Sequence, residues 1–344
     1  MKVLPALCIR VILCVITLIV IGACDTRFKA EILLSQYVAD LSRSALLDFS
    51  APNKIMPDAL PSARYRQQTL TQFDIGLLDF LSLQQCDVGV VVGKKNSILG
   101  KVMPDSQRFL YELDIIRAIE SCDIKNDALA AELLSVAQKK RDELPAALGN
   151  AIFNGAESEA FFSLSNGFLP LDYTTSEQQL LLDALNRLVN IAESLHGLPD
   201  VDAVVFEGDL KVLMDSEYAG RLLYSLAQVT QSLTQVTAQI SSLDQSVCGA
   251  PIGYLKQQFE VDYVEQIQPY MGRINQGAYL VLPLLDRLVS AVQPLTVDME
   301  HFVNQLSLVH VRSIWRGYQI ASQNHAKQWS VLFKQCGVLL AAVS

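Results

Sequence analysis

The chain has 344 residues, of which 51% are hydrophobic and 18% are charged, and its formal net charge is −9. The mean hydropathy of +0.26 is high for a soluble domain, but the first 23 residues contribute more than half of the total. Without Lys2 and Arg10 in that segment the net charge is −11, which excludes generic binding to nucleic acid or anionic lipid through bulk charge.

Residues 1–23 are typical of a signal peptide. Lys2 and Arg10 provide positive charge, and the apolar run of residues 11–20 is shorter than the roughly 20 residues that span a bilayer. Residues 21–24 read Ile-Gly-Ala-Cys. This sequence resembles the lipobox of bacterial lipoproteins, in which the cysteine thiol is acylated and the chain is cut before it. We therefore predict lipidation of Cys24 with palmitate-type chains. An uncleaved signal anchor is the alternative.

Asp25, the next residue, suggests in which membrane of the cell envelope the protein is retained. In enteric-type lipoproteins, an aspartate at this position resembles the sorting signal for retention in the inner membrane. Two or three acyl chains, at about 0.8 kcal/mol per buried methylene, anchor a protein firmly. We expect a lipid-anchored protein facing the periplasm, with the inner membrane favoured over the outer membrane.

The first half of the mature chain is predicted to be helical around one extended segment. After the lipidated cysteine, apolar residues recur with a helical period, so residues 24–49 are predicted as the anchor and an N-terminal helix. Residues 50–72 contain three prolines and no sustained periodicity, which predicts an extended connector on the surface. Residues 73–165 are predicted as an N-terminal helical subdomain that ends in an irregular stretch.

Several local features refine this subdomain. Gly89 and Gly93 are expected to interrupt its first helix, and Pro145 is expected to break or kink a later one. The basic run of residues 139–141 is assigned to the solvent side of that later helix. A capping box formed by Thr175 and Gln178 is expected to begin the next helix.

Residues 166–344 are predicted as a C-terminal helical bundle. Its main feature is a heptad seam with spacings of four and three: Leu222, Leu226, Val229, Leu233, Val236, Ile240 and Leu243. Uncharged Gln, Ser and Thr flank this seam, which favours an intramolecular bundle over an intermolecular coiled coil. A return helix over residues 252–292, kinked at Pro269 and Pro283, and two C-terminal helices follow. The only strand candidate is residues 201–206. The predicted fold is all-α, a multi-helix bundle with long antiparallel helices in its C-terminal half.

Two of the seven cysteines leave with the signal peptide and Cys24 carries lipid, so four are available for pairing: Cys86, Cys122, Cys248 and Cys336. An even number in an oxidising compartment favours disulfides. Four cysteines allow three pairings, and proximity along the chain favours Cys86–Cys122 and Cys248–Cys336. Buried free thiols are the alternative. No closely spaced cysteine pair suited to zinc is present, and neither a metal nor a cofactor is expected.

A polar block at the turn around residues 94–112 is the candidate site for a partner or an anionic group. Loops on rigid scaffolds often carry function, and this one is locally basic in an acidic chain. A solvated turn whose polar side chains satisfy the backbone is the alternative. The candidate residues are Lys94, Lys95, Asn96, Lys101, Arg108, Tyr111 and Glu112.

Catalytic motifs are missing from the sequence. The phosphate-loop pattern fails around residues 100–102, and neither a G-x-S-x-G elbow nor an H-E-x-x-H helix is present. The histidines His196, His301, His310 and His325 are not spaced as a metal site. The sequence therefore favours a protein without catalytic activity.

Several blocks resemble an uncharacterised family of proteobacterial lipoproteins that is defined only as a domain of unknown function. The first block reads Leu-Leu-Asp-Phe-Leu at 77–81, Asn-Ser-Ile-Leu-Gly-Lys-Val-Met at 96–103 and Ser-Gln-Arg-Phe-Leu-Tyr-Glu-Leu at 106–113. Shorter blocks around Glu143 and around 263–270 are similar to its later parts. The resemblance implies a lipoprotein architecture and a Cys86–Cys122 pair. It brings no activity.

The expected function is that of a membrane-anchored interaction or scaffold protein of the envelope. Its expected partners are the membrane, through the N-terminal lipid, and an unknown envelope protein or ligand, but no nucleic acid. A helical carrier of a lipid or apolar small molecule is one alternative. An unrecognised envelope enzyme that uses Glu112, Arg108 or a histidine is another.

Overall fold

The computed structural model describes residues 29–44, 46–49, 55–72, 83, 86–97 and 100–338. The predicted signal peptide, Cys24 and Asp25 lie outside these ranges, as does the start of the helix predicted from residue 73. Within the described ranges every regular element is helical and no strand occurs, which confirms the all-α prediction. None of the described helices has the length and apolarity needed to cross a membrane.

The helices described in the first half of the chain include the two that flank the turn carrying the candidate site. They are α1 (Lys29–Ser42), α2 (Ala63–Arg66), α3 (Asp87–Asn96), α4 (Asp105–Ser121), α5 (Asp127–Phe153) and α6 (Ala156–Phe161). The second half contains longer helices: α7 (Thr175–Glu193), α8 (Ala203–Ser216), α9 (Tyr218–Ser241), α10 (Ala250–Gln258), α11 (Gln268–Ala291), α12 (Val297–Asn304) and α13 (Ile314–Gln335). A π-helix, Phe259–Ile267, joins α10 to α11 without a break.

Several local expectations were wrong. The capping box of α7 is formed by Thr174 and Glu177, one residue earlier than predicted. A carboxylate suits this position better than an amide, because it also interacts with the positive end of the helix dipole. The strand candidate is instead the start of α8, where the side chain of Asp202 caps the helix.

Glycine and proline interrupt the helices less than expected. α3 continues through Gly89 and Gly93, and α5 continues through Pro145. Pro269 lies at the first turn of α11, immediately after the π-helix, where its missing N–H fits a change in the hydrogen-bond pattern. Tertiary packing therefore maintains helices that local propensity alone would end.

The predicted heptad seam is buried within the chain. Its residues from Leu222 to Ile240 are at most 3% exposed. Ser225 of α9 contacts Tyr270 of α11, while Tyr218, earlier in α9, packs on Gly277, later in α11. These contacts show that α9 and α11 are antiparallel, as predicted. A Cβ atom at Gly277 would overlap the Tyr218 hydroxyl, so a larger residue here would displace that side chain.

The last helix runs parallel to α9. Thr237 contacts His325, and Cys248 pairs with Cys336, so both contacts join residues 88 positions apart. A constant offset means that the two helices advance in the same direction. α13 is antiparallel to α11, since Tyr318 bonds the carbonyl of Met271 and Trp315 packs on Tyr279.

An extended strap, residues 55–72, crosses the bundle, interrupted only by α2. Buried side-chain amides act as its hydrogen-bonding partners. Asn150 accepts from the N–H of Gln68 and donates to its carbonyl, both at 2.8 Å. Gln305 forms the same pair of bonds with Asp58, at 3.1 and 2.8 Å. These amides substitute for the neighbouring strand that an extended backbone normally needs.

Both favoured cysteine pairs lie at disulfide distance. The Cα atoms are 5.6 Å apart in Cys86–Cys122 and 4.9 Å apart in Cys248–Cys336. One continuous hydrophobic core includes residues from both predicted subdomains. The proposed boundary at residues 165 and 166 therefore does not coincide with a gap in packing, and it stays a prediction.

Candidate functional site

The predicted polar block lies at the turn between α3 and α4. α3 ends at Asn96, a 3-10 turn covers Gly100–Val102, and α4 begins at Asp105. Cys86 precedes α3 and Cys122 follows α4 at the opposite end of this hairpin. Their disulfide therefore closes the hairpin at one end, and the polar turn occupies the other.

Glu112 is the centre of a buried charged cluster on α4. Its side chain is 5% exposed, and its two carboxylate oxygens accept from different cations. Oε1 accepts from Nε of Arg108 at 2.5 Å, and Oε2 accepts from Nζ of Lys140 at 2.5 Å. One carboxylate thus neutralises part of the charge of two cations, which is a favourable arrangement only because all three groups are hydrogen-bonded.

The burial of Lys140 contradicts the assignment of residues 139–141 to solvent. Its side chain, on α5, is 2% exposed. The missed pattern is visible in the sequence, because Leu133, Ala137, Lys140 and Leu144 follow one another at spacings of four, three and four. That spacing places Lys140 on the apolar face of α5, where a lysine requires a buried counter-charge.

The ring of Tyr111 lies among the cations of this cluster. Its centroid is 5.3 Å from Nζ of Lys95, 5.3 Å from Cζ of Arg108 and 5.8 Å from Nζ of Lys140. These distances allow cation–π attraction. The Tyr111 hydroxyl is buried and has no hydrogen-bond partner among the described residues. Burial, and to a lesser degree Glu112, raises the pKa of Tyr111 well above its usual value.

The structure brings together four of the seven predicted site residues: Lys95, Arg108, Tyr111 and Glu112. Lys94 and Asn96 are exposed at the end of α3, outside this cluster. The backbone of Lys101 lies in the 3-10 turn, and its side chain is outside the description. The site is therefore centred on α4 and α5 rather than on the turn itself.

A groove of about 350 Å³ opens beside Arg108, between the strap and the first turn of α4. Arg108 donates to Glu112 only through Nε, so its two terminal nitrogens have no hydrogen-bond partner among the described residues. Polar side chains of the strap, Gln67, Thr69 and Gln72, line the same groove. The guanidinium fork, with the donors of Thr69 and Gln72, is suited to a planar anionic group.

Asp105 limits the positive charge of this groove. Its carboxylate lies in the lining and accepts from Gln67 at 3.2 Å and from Asn154 at 2.8 Å. The partners of this carboxylate are neutral amides, and it does not pair with Arg108. The groove is therefore suited to a single anionic group rather than to a polyanion.

A second polar cluster lies deep in the bundle, around His325. Its ring is 0% exposed, with Thr237 Oγ1 at 3.1 Å from Nδ1 and Tyr37 and Trp329 beside Nε2. The Thr237 hydroxyl donates to the carbonyl of Leu233, so it accepts from His325. His325 is therefore neutral with its proton on Nδ1. Burial lowers its pKa to about 4.

The π-helix contains a buried acidic residue. Asp262 is 5% exposed, and its Oδ2 has no hydrogen-bond partner within the described residues. Burial, followed by the nearby charge of Asp40, raises the pKa of Asp262, while Arg43 partly opposes this shift. Arg43 pairs directly with Asp40. No sequence pattern indicated this acid, since π-helices have no periodicity that we could recognise.

Comparison with known proteins places the chain in a family without assigning an activity. Neither a curated protein nor a solved structure matches it. The sequence profile of a family described as protein of unknown function (DUF3080) matches residues 34–340, which include α4, α5 and both cysteine pairs. The chain therefore belongs to the DUF3080 family of proteins of unknown function.

Proposed function

We propose that this protein is a lipid-anchored, periplasm-facing protein that binds a carboxylate group of an envelope partner in the groove beside Arg108. The orientation of Arg108 is the observation that carries this proposal. Glu112 fixes the side chain through Nε and leaves the terminal nitrogens to a ligand. A guanidinium held in this way loses little conformational freedom when it binds a carboxylate through two parallel hydrogen bonds.

The balance of charge favours a carboxylate over a phosphate. Lys95, Arg108 and Lys140 carry three positive charges, and Glu112 and Asp105 carry two negative charges, so the cluster has one net positive charge that a single carboxylate would neutralise. A doubly charged phosphate would lie close to the Asp105 carboxylate and be repelled. The fit is therefore to an acidic side chain or a chain terminus of a partner.

The envelope location is supported by two independent features. The lipobox-like sequence before Cys24 predicts export and acylation. The two cysteine pairs at disulfide distance suit an oxidising compartment. A Cys24→Ser variant is expected to leave the membrane fraction or to accumulate unprocessed. Membrane attachment of the variant together with globomycin-insensitive processing would contradict the anchor.

In-cell photocrosslinking tests the binding groove. A photoreactive residue at Gln72, in the groove, is expected to capture a discrete partner, whereas one at exposed Gln179 on α7 does not. Arg108→Gln should abolish this adduct, and Arg108→Lys should reduce it, because lysine retains the charge but not the fork. Lys94→Gln, outside the cluster, serves as the matched control. An adduct that survives Arg108→Gln unchanged would contradict the proposal.

A further inference from the structure

An apolar groove of about 340 Å³ lies between α1 and α9, remote in sequence from Arg108. We call it the α1 groove. Leu34 and Val38 of α1 line it together with Phe49 and Phe168, while Glu31 and Ser35 of α1 lie at its more exposed edge. A largely apolar concavity with a few polar groups at its edge is the usual form of a site for an apolar ligand.

Exposed apolar side chains continue from this groove onto the strap. Ile55 and Met56 are 51% and 50% exposed. The backbone of Ile55 is bonded to Gln228 and Gln231, and both glutamines line the α1 groove. The backbone of Ile55 therefore lies next to the groove, and Met56 is the next residue of the strap. Apolar surface next to an apolar groove indicates contact with a lipid or a partner.

The predicted anchor places this groove near the bilayer, and this step rests on the proposed function. Cys24 is five residues before Lys29, the first residue of α1. Five residues span at most about 18 Å when fully extended. Glu31 and Leu34 lie within the first two turns of α1, so the α1 groove begins close to the membrane surface. The apolar groups present at the membrane surface are the acyl chains of its lipids.

The charge at the edge of the α1 groove determines which lipid headgroup it favours. Glu31 presents an exposed carboxylate at the edge of the groove, and the remaining polar lining is neutral Ser and Gln. An ammonium headgroup would be attracted to Glu31, and an anionic headgroup would be repelled. We infer that the α1 groove holds one acyl chain of a zwitterionic phospholipid whose ammonium group lies against Glu31.

Lipid transfer from vesicles tests this inference on the mature chain, residues 24–344, carrying Cys24→Ser. Phosphatidylethanolamine vesicles with a fluorescent acyl reporter are expected to load the protein with one lipid per chain. Phosphatidylglycerol vesicles should load it at least tenfold more weakly. Glu31→Gln should reduce that preference, and repulsion between the acidic chain and the anionic vesicle should account for the remainder. Ser35→Trp should fill the groove and reduce loading at least tenfold. Ser330→Trp, on an exposed position of α13, is the matched control.

The outcomes separate this inference from the proposed function. Equal loading from both vesicle types, or unchanged loading of Ser35→Trp with an intact circular dichroism spectrum, would overturn the lipid site. Loading of the Cys24→Ser chain but not of the acylated protein would assign the groove to the protein's own acyl chain, which also overturns it. Lack of acylation at Cys24 would contradict the anchor alone, because the transfer assay does not use it.

Discussion

Nε2 of His325 lies 3.1 Å from the hydroxyl of Tyr37, although the two residues are 288 positions apart. Trp329 donates its indole N–H to the same hydroxyl at 3.0 Å. Tyr37 therefore accepts from Trp329 and donates to His325, and every polar atom of this buried cluster has a partner. The cluster joins α1 to α13 by directional bonds in addition to apolar packing.

The state of His325 predicts a dependence of stability on pH. Its pKa is about 4 in the folded protein and close to 6.5 when unfolded, because burial disfavours the charged ring. The unfolded chain therefore binds the proton more readily between these values. The free energy of unfolding should fall by about 3 kcal/mol from this residue as the pH decreases from 7 to 4.

Urea denaturation at several pH values between 7 and 4 gives the free energy of unfolding of wild type and of His325→Gln. The contribution of His325 is the difference between the two proteins in how much this free energy changes with pH. The variant should be less stable at pH 7 and should lose less stability on acidification. His196→Gln, at an exposed position, should follow the wild type. Parallel pH profiles for wild type and His325→Gln would contradict a neutral buried ring.

Charge variants around Glu112 should differ strongly in stability. Glu112→Gln leaves Arg108 and Lys140 without a counter-charge, and we expect a loss of about 3–5 kcal/mol in the free energy of unfolding. Arg108→Gln preserves the buried Glu112–Lys140 pair and removes one charged hydrogen bond, so its loss should be smaller, about 1.5–3 kcal/mol. Chemical denaturation compares the two variants. Equal losses for the two variants would show that the Glu112–Lys140 pair adds nothing to the free energy of unfolding.

The amide of Asn150 should be essential to the strap. Asn150→Ala removes two hydrogen bonds and leaves the N–H and carbonyl of Gln68 unsatisfied. The expected loss is about 2–4 kcal/mol, with faster proteolysis within residues 55–72. Asn190→Ala, on the exposed side of α7, is the matched control. Unchanged cleavage of the strap in Asn150→Ala would contradict this role.

The cysteine pairs should both be oxidised if the protein is exported, as we propose. Non-reducing peptide mapping should recover Cys86–Cys122 and Cys248–Cys336, which close loops of 36 and 88 residues. Each bond is expected to contribute about 3–4.5 kcal/mol, more for the longer loop. Replacing both residues of one pair with serine measures this in denaturation. Four free thiols in the mature protein would contradict the pairing.

Periodicity explains why the helices could be predicted and some of their contacts could not. The seam from Leu222 to Ile240 repeats often enough to define one buried face of α9. The partners of Asn150 and Gln305 lie 82 and 247 positions away along the chain, and no local pattern encodes such pairs.

The candidate site was predicted in part for the same reason. Arg108, Tyr111 and Glu112 are neighbours on one helix, so their clustering follows from sequence spacing. Lys140 lies on another helix, and its position among basic residues was given more weight than its spacing from Leu133, Ala137 and Leu144. The burial of Lys140 was therefore missed, because its basic neighbours in the sequence suggested exposure to solvent.

The contact between α1 and α13 also determines how late in synthesis α1 can dock on the rest of the fold. The surface that receives α1 is built from α9, α10, the π-helix and α13, which span residues 218–335. α1 therefore has no complete docking site until almost the entire polypeptide has emerged. Long-range closure of this kind is slow. An α1 that stays unpaired during synthesis suits the export that we propose, because an exported chain crosses the membrane before it folds.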